Sequence, residues 1–219
     1  MQAKIAILAK IAFGRTIEPS AIPTAGISAI TAVDFEYARL LKATIKLLGT
    51  AALSGDRLSV YVSPVVVPLS SPLAAAKGPG NMVVVHSANM GQSSFAGPGA
   101  GRYPTANSVV SDIIRVAQGK VATPFPLAKD PPVDNDYSAR FYVRVTCSDG
   151  LGIIRHIGDA AETSHVSINS ILQNPITNPA IVDFVVTTEE CKLSQVQAFV
   201  YKVKNMSFSL RPPLLMSML

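Results

Sequence analysis

The stretch Gly97-Pro98-Gly99-Ala100-Gly101-Arg102-Tyr103-Pro104-Thr105-Ala106 is where the chain most invites chemistry. Glycine at every second position leaves little side-chain bulk, so a flat ligand or another backbone can approach the main chain there. The Pro-Thr-Ala that follows reads as a helix start, and the first turn of a helix offers unpaired N–H groups to anions and cofactor amides. The spacing matches no nucleotide fingerprint. Gly99-Ala100-Gly101-Arg102-Tyr103-Pro104 lacks the last glycine of G-x-G-x-x-G, and no G-x-x-x-x-G-K-[ST] occurs. By spacing alone a ligand loop and a tight packing corner both remain open, the corner being the simpler account.

Other chemistry-bearing residues are dispersed. Cys147 and Cys191 have no metal-ligand neighbour at C-x-x-C or C-x-x-H spacing, and His86, His156 and His165 stand alone, so no metal site and no disulfide framework are expected. No nucleophile elbow or paired zinc-ligand motif occurs. Asp149-Gly150-Leu151-Gly152 has turn chemistry between two periodic segments.

The elements that would hold these residues follow from periodicity. Ile5, Leu8, Ile11 and Ala12 predict a helix over Met1–Phe13 that stops at Gly14 and has no capping residue before it, so the natural start is expected upstream. Phe35, Ala38, Leu41, Ile45 and Leu48 predict a second helix over Ala32–Leu48. A strand, a Ser54-Gly55-Asp56 turn and a strand follow over Ala51–Val67, then a strand at Asn81–Ser87 and a helix over Pro104–Gln118. Residues 119–136 hold Pro124, Pro126, Pro131 and Pro132 without periodicity and read as a linker. Beyond it come a strand at Phe141–Val145, a helix at Ile153–Ser164, strands at Val166–Gln173 and Asp183–Thr187, a helix at Leu193–Lys204 and a last strand beginning at Phe208–Leu210. That βαββαβ order is the ferredoxin-like arrangement. The fold class is therefore α+β, with a mixed-sheet domain over 1–120, a linker over 121–137 and a ferredoxin-like domain over 138–219.

Composition narrows the function classes. Apolar residues make up 48% and charged residues 15% of the 219, which fits buried cores rather than a disordered tail. The +5 net charge comes from basic residues scattered singly, not from a stripe with interleaved aromatics, so no nucleic-acid partner is expected. The uncharged run Leu58–Ala76 is interrupted by Pro64, Pro68 and Pro72, and Lys10 cuts the first apolar run below the length of a signal sequence, so no membrane partner is expected.

Several blocks together resemble one family. Lys4-Ile5-Ala6-Ile7-Leu8-Ala9, then Gly26-Ile27 through Ile30-Thr31 to Asp34, Ala38 and Ile45-Lys46-Leu47-Leu48, then Val67-Pro68, Pro72-Leu73-Ala74, Asn81, Gly97–Ala106 and Ser111-Asp112, are similar to homoserine dehydrogenase and keep its order. Residues 138–219 resemble an ACT domain, the amino-acid-sensing module, through Asp149-x-x-Gly152-Ile153-Ile154 and Ser167–Gln173, with Leu151 where such modules usually carry Pro.

The resemblance implies NAD(P)H-dependent reduction of aspartate 4-semialdehyde to homoserine, in threonine and methionine biosynthesis, with NADP or NAD as cofactor. Lys4 corresponds to the family's buried catalytic lysine, a role that its own surroundings in the sequence would not give it. Gly101, with Gly99 and Ala100, corresponds to the glycines against the cofactor. Asp149 and Gly152 correspond to the effector-binding turn, threonine being one possible effector; a strand-to-helix turn needing Gly and a capping Asp accounts for them equally.

The family's nucleotide-binding half, its substrate-binding Glu and the Asp four residues before the lysine would fall ahead of Met1, and Ser71 and Ala25 stand where the family usually has a histidine and an acid. The chain is therefore expected to be a carboxy-terminal portion, inactive alone, and to form a homodimer; a stand-alone threonine-sensing protein is the alternative. A cytoplasmic or plastid location is left open.

Overall fold

The computed structural model of the chain describes residues 1–78, 80–120 and 132–219. Helix α1, Gln2–Phe13, ends where Gly14 takes a left-handed φ of 72° and its N–H bonds the Lys10 carbonyl. Its buried residues Ile5, Ala6 and Ala9 pack with Ile22, Leu58, Val60 and Val62. Gly49 permits this close approach, since a Cβ there would lie 3.1 Å from Ile5 Cβ.

Helix α2, Ala32–Leu40, opens with Asp34 Oδ2 accepting from the Thr31 N–H at 2.8 Å, in the manner of a capping box. The expected continuation to Leu48 is corrected by the structure. Lys42 turns left-handed at φ 52°, and strand β1 begins at once, Ala43–Ser54. A short apolar run such as Ile45-Lys46-Leu47-Leu48 suits either period; pairing with β2, Arg57–Pro68, in register from Ala43↔Pro68 to Ser54↔Arg57 decides for strand.

Strands β3, Gly80–Ser87, and β4, Gly91–Pro98, make a separate antiparallel ribbon. Helix α3, Arg102–Ala117, follows and buries none of its residues. Residues 121–131 of the expected linker lie outside the described residues. The part beyond them is tied to β2: Leu58 N–H donates to Pro132 O at 2.9 Å and Val60 N–H to Asn135 Oδ1 at 2.7 Å.

The second part runs β5 Ser138–Cys147, α4 Ile153–Glu162, β6 Ile168–Gln173, β7 Val182–Thr188, β8 Cys191–Lys192, α5 Leu193–Lys204 and β9 Leu214–Met218. Strands β9, β5, β7 and β6 lie side by side in that order and antiparallel, with β8 pairing β5. Helices α4 and α5 cover one face around Phe141, Val143, Ile157, Val186 and Phe199. The last strand begins later than expected. Phe208–Leu210 instead bonds the end of β5, through Ser148 N–H to Phe208 O and Leu210 N–H to Thr146 O. Pro212 and Pro213, which lack N–H donors, separate it from β9.

Strand β9 also pairs with β2 in parallel, at Val65↔Ser217 and Val66↔Met218. One mixed seven-stranded sheet therefore runs from β1 to β6. On its other face Tyr37, Ala38, Val66, Tyr142, Val185 and Met216 form a core shared by both parts of the chain.

Candidate functional site

Lys4 sits on α1 with its side chain exposed, so the burial expected of it is absent in this chain. The helix shows why. Ile5 and Ala9 face the sheet, whereas Lys4, Ile7, Leu8 and Ile11 fall within one stripe of about 100° on the opposite side. All four are exposed. Lys4 is thus a lone cation within an uncovered aliphatic stripe.

The glycine run spans the end of β4 and the start of α3, which begins at Arg102, two residues earlier than the Pro104 start expected. Its three glycines have different physical reasons. Gly101 is the N-cap of α3 with φ 113° and ψ 163°, a conformation that L side chains rarely adopt, and a Cβ built there meets only Pro104 Cδ at 3.8 Å. Gly99 gives way to the Asn81 side chain, which occupies the space a Cβ would fill. Around Gly97 that space is open. The packing corner is therefore real at Gly99, while glycine at Gly101 is required by its backbone conformation rather than by crowding.

Helix α3 carries Val109, Val110, Ile113 and Ile114 on an exposed apolar face. Among the described residues, no hydrogen bond or ion pair joins Lys4 to Gly99, Ala100 or Gly101.

Asp149 and Gly152 lie in the turn from β5 to α4, beside a cleft of about 210 Å³ lined also by Cys147, Gln173, Val182 and Phe184. Gly152 is the N-cap at φ 83°. Asp149 does not cap the helix: its Oδ1 accepts the Gly150 N–H at 3.0 Å, and its own N–H donates to Pro179 O at 2.8 Å. With no side-chain cap, the first-turn N–H groups of α4 face the cleft alongside an exposed carboxylate. A donor array next to an acceptor is suited to a small zwitterion. Burial, then the charges of Asp149 and Asp183, push the Cys147 thiol above its ordinary pKa. A larger groove, about 430 Å³, lies elsewhere, lined by Tyr61, Arg140, Glu189 and Ser217 among others and by none of the candidate residues.

Sequence reasoning did not anticipate one buried polar cluster. Asp34 is fully buried and pairs with Arg144, Nε to Oδ1 2.8 Å. Arg144 also donates to Ala29 O at 3.0 Å, and Tyr142 OH donates to Asp34 Oδ1 at 2.9 Å. Thr146 Oγ1 donates to Asp183 Oδ1, and Tyr37 OH to Asp183 O at 2.7 Å. The available signal was Arg144 itself, a charge within Phe141-Tyr142-Val143-Arg144-Val145 that must find a partner if the strand is covered on both faces. Among the described residues, no three His, Cys, Asp or Glu side chains converge as metal ligands, and no helix is long and apolar enough to cross a membrane.

The model of a family described as homoserine dehydrogenase matches residues 1–114. A homoserine dehydrogenase of Synechocystis is 32% identical over 93% of this chain and 50% of its own length. One from Bacillus subtilis is 34% identical over 79% of this chain and 42% of its own. The crystal structure of a homoserine dehydrogenase from Thiobacillus denitrificans superposes with a TM-score of 0.87 at 27% identity, over all of this chain and 52% of that one. The chain spans about half the length of the relatives it matches.

Proposed function

Since the chain belongs to the homoserine dehydrogenase family, we propose that it forms the substrate-handling and regulatory part of an enzyme reducing aspartate 4-semialdehyde to homoserine with NADPH or NADH. The nicotinamide nucleotide, when bound, supplies the hydride. Gly101, where an added Cβ would meet only Pro104 Cδ at 3.8 Å, lets a flat ring approach the backbone at Ala100 and Gly101, while Gly99 acts indirectly by seating Asn81. The Lys4 ammonium donates a hydrogen bond and then a proton to the substrate oxygen as negative charge develops there.

The observation that carries this reading is the setting of Lys4 within the Ile7, Leu8 and Ile11 stripe. Covering the stripe would take Lys4 out of water, disfavour its charged form and ease proton donation near neutral pH. The exposed apolar faces of α1 and α3 are the surfaces on which the nucleotide-binding half would rest. Residues 138–219 act as an ACT module, with the cleft at Asp149 and Gly152 receiving a small amino acid such as threonine, carboxylate on the α4 N–H groups and ammonium at Asp149. Two copies pair in the assembled enzyme, which sedimentation tests.

The deciding experiment is a chimera in which this chain replaces the matching half of the Synechocystis relative, assayed by NADPH oxidation with aspartate semialdehyde. Turnover is expected, with Lys4→Met lowering it by roughly 10²- to 10⁴-fold at an unchanged circular dichroism spectrum. A folded chimera without turnover, or full activity in K4M, would overturn the reading. The 219 residues alone are expected to oxidise no NADPH. Calorimetry with L-threonine, with and without Asp149→Ala, tests the module: absence of heat in the unsubstituted chain would remove the effector assignment.

A further inference from the structure

Among the described residues, the β3–β4 ribbon pairs with no strand of the main sheet. Its ladder runs out at Gly80↔Pro98, and beyond that point no backbone–backbone hydrogen bond among the described residues holds Gly99 or Ala100. The next one is made by Gly101 O, which accepts the Thr105 N–H at 3.2 Å as α3 begins. The crossing from ribbon to helix therefore needs another support.

Asn81 reaches across to it. In the ladder Asn81 faces Gly97, yet nothing lies within 4 Å of the place where a Gly97 Cβ would stand. The carboxamide leans instead to the diagonal neighbour Gly99, with Cγ 2.6 Å and Oδ1 3.2 Å from a Cβ built there and Nδ2 nearer still. Diagonal neighbours across an antiparallel pair are close enough for a side chain to make such a contact.

Asn81 is in turn referred to the body of the fold. Lys46 Nζ, on β1, donates to Ala76 O just after the short helical turn Pro72–Ala75, and the Gly80 N–H donates to Lys77 O at 3.1 Å one residue before Asn81. Three residues along β1 from Lys46, Gly49 seats Ile5 of α1, the helix that carries Lys4. Strand alternation puts Lys46 and Gly49 on opposite faces of β1. One strand is thus the common frame for the Lys4 helix and for the glycine corner.

We propose that Asn81 is a positioning residue for hydride transfer: its carboxamide, held in the frame of β1, fixes the Gly99–Gly101 backbone against which the nicotinamide ring lies. The proposal rests on the reading that the ring docks at Ala100 and Gly101. A small displacement of that backbone moves the ring relative to the aldehyde, to which rate is steeply sensitive.

Steady-state kinetics of the chimera with the Synechocystis relative test it. Asn81→Ala should raise KM for NADPH roughly 10-fold and lower kcat, while KM for aspartate semialdehyde stays within about 2-fold. His86→Ala, exposed at the far end of the ribbon, should change neither KM. Because Asn81 and Gly99 form one contact, combining Asn81→Ala with Gly99→Ala should lose no more than the worse single variant. An unchanged NADPH KM in Asn81→Ala, equal rises in both KM values, or additive losses in the double variant overturns the proposal. A folded but inactive unsubstituted chimera refutes the reading of the site instead. In that case, or where a substituted chimera does not fold, nuclear magnetic resonance of the 219-residue chain decides. There the ¹H–¹⁵N Overhauser effects of Gly99, Ala100 and Gly101 must fall in Asn81→Ala while those of Val84 and Ser94 hold, and unaltered values overturn the positioning role.

Discussion

Arg144 Nε lies 2.8 Å from Asp34 Oδ1, joining residues 110 positions apart in the sequence. The pair sits beneath α2 on the face of the sheet opposite α4 and α5. It fixes where the first part of the chain rests on the second, because a charge buried on either side without the other is costly.

Removing one partner should therefore cost far more than removing both. Asp34→Ala, which strands the Arg144 guanidinium, is expected to lower unfolding free energy by about 3–5 kcal/mol. Combining Asp34→Leu with Arg144→Met should cost distinctly less. Urea unfolding of the single and double variants decides, and equal losses would show that the ion pair is not the source of the effect.

The glycine run should respond unevenly to alanine. Gly101→Ala forces a side chain onto φ 113° and should cost roughly 1–3 kcal/mol in local stability. Gly99→Ala must expel the Asn81 side chain and should disturb the β3–β4 ribbon. Gly97→Ala, with open space around it, should change little. Hydrogen exchange along Gly80–Pro98 and the start of α3 reads the ranking.

Alkaline pH should unfold the chain through its buried tyrosines. Burial, then the neighbouring Asp34 charge, pushes the Tyr142 pKa well above its ordinary value, and burial does the same for Tyr61, stacked on Tyr137 at 4.0 Å. A folded pKa raised above the unfolded one contributes stability below the unfolded value, about 10 for tyrosine, and loses it as pH climbs toward the folded value. The urea midpoint should fall above about pH 10, and Tyr142→Phe should flatten that fall.

Neither cysteine should react in the folded chain. Cys147 and Cys191 are buried, and burial raises both thiols above their ordinary pKa, which leaves little thiolate for an alkylating agent. Iodoacetamide should label neither residue at pH 8 and both in urea. Rapid labelling of Cys147 in the native state would mean that the cleft it lines opens far more than its geometry indicates.

Local patterns carried much of the fold. The αL stop at Gly14, the α5 helix over Leu193–Lys204 and the βαββαβ order were legible because each rests on contacts close in sequence: a glycine cap, one amphipathic stripe, one alternation. Lys42–Leu48 was not legible, because its apolar spacing serves a helix as well as a strand until β2 offers its edge. The glycine run was found from composition, yet only the Asn81 side chain against Gly99 and the φ of Gly101 separate a packing role from an open backbone.

The sequence by itself determined the family, the order of elements apart from β4 and β8, which it did not anticipate, and the residue types at Lys4, Gly97–Gly101 and Asp149–Gly152, since these are written in local spacing and ordered blocks. Only tertiary structure decided that β9 enters between β2 and β5 to join both parts in one sheet, that Lys4 faces outward in an aliphatic stripe, and that Arg144 reaches Asp34. Those outcomes depend on pairings between distant segments, and strand register and buried charge are satisfied only once the partners have met.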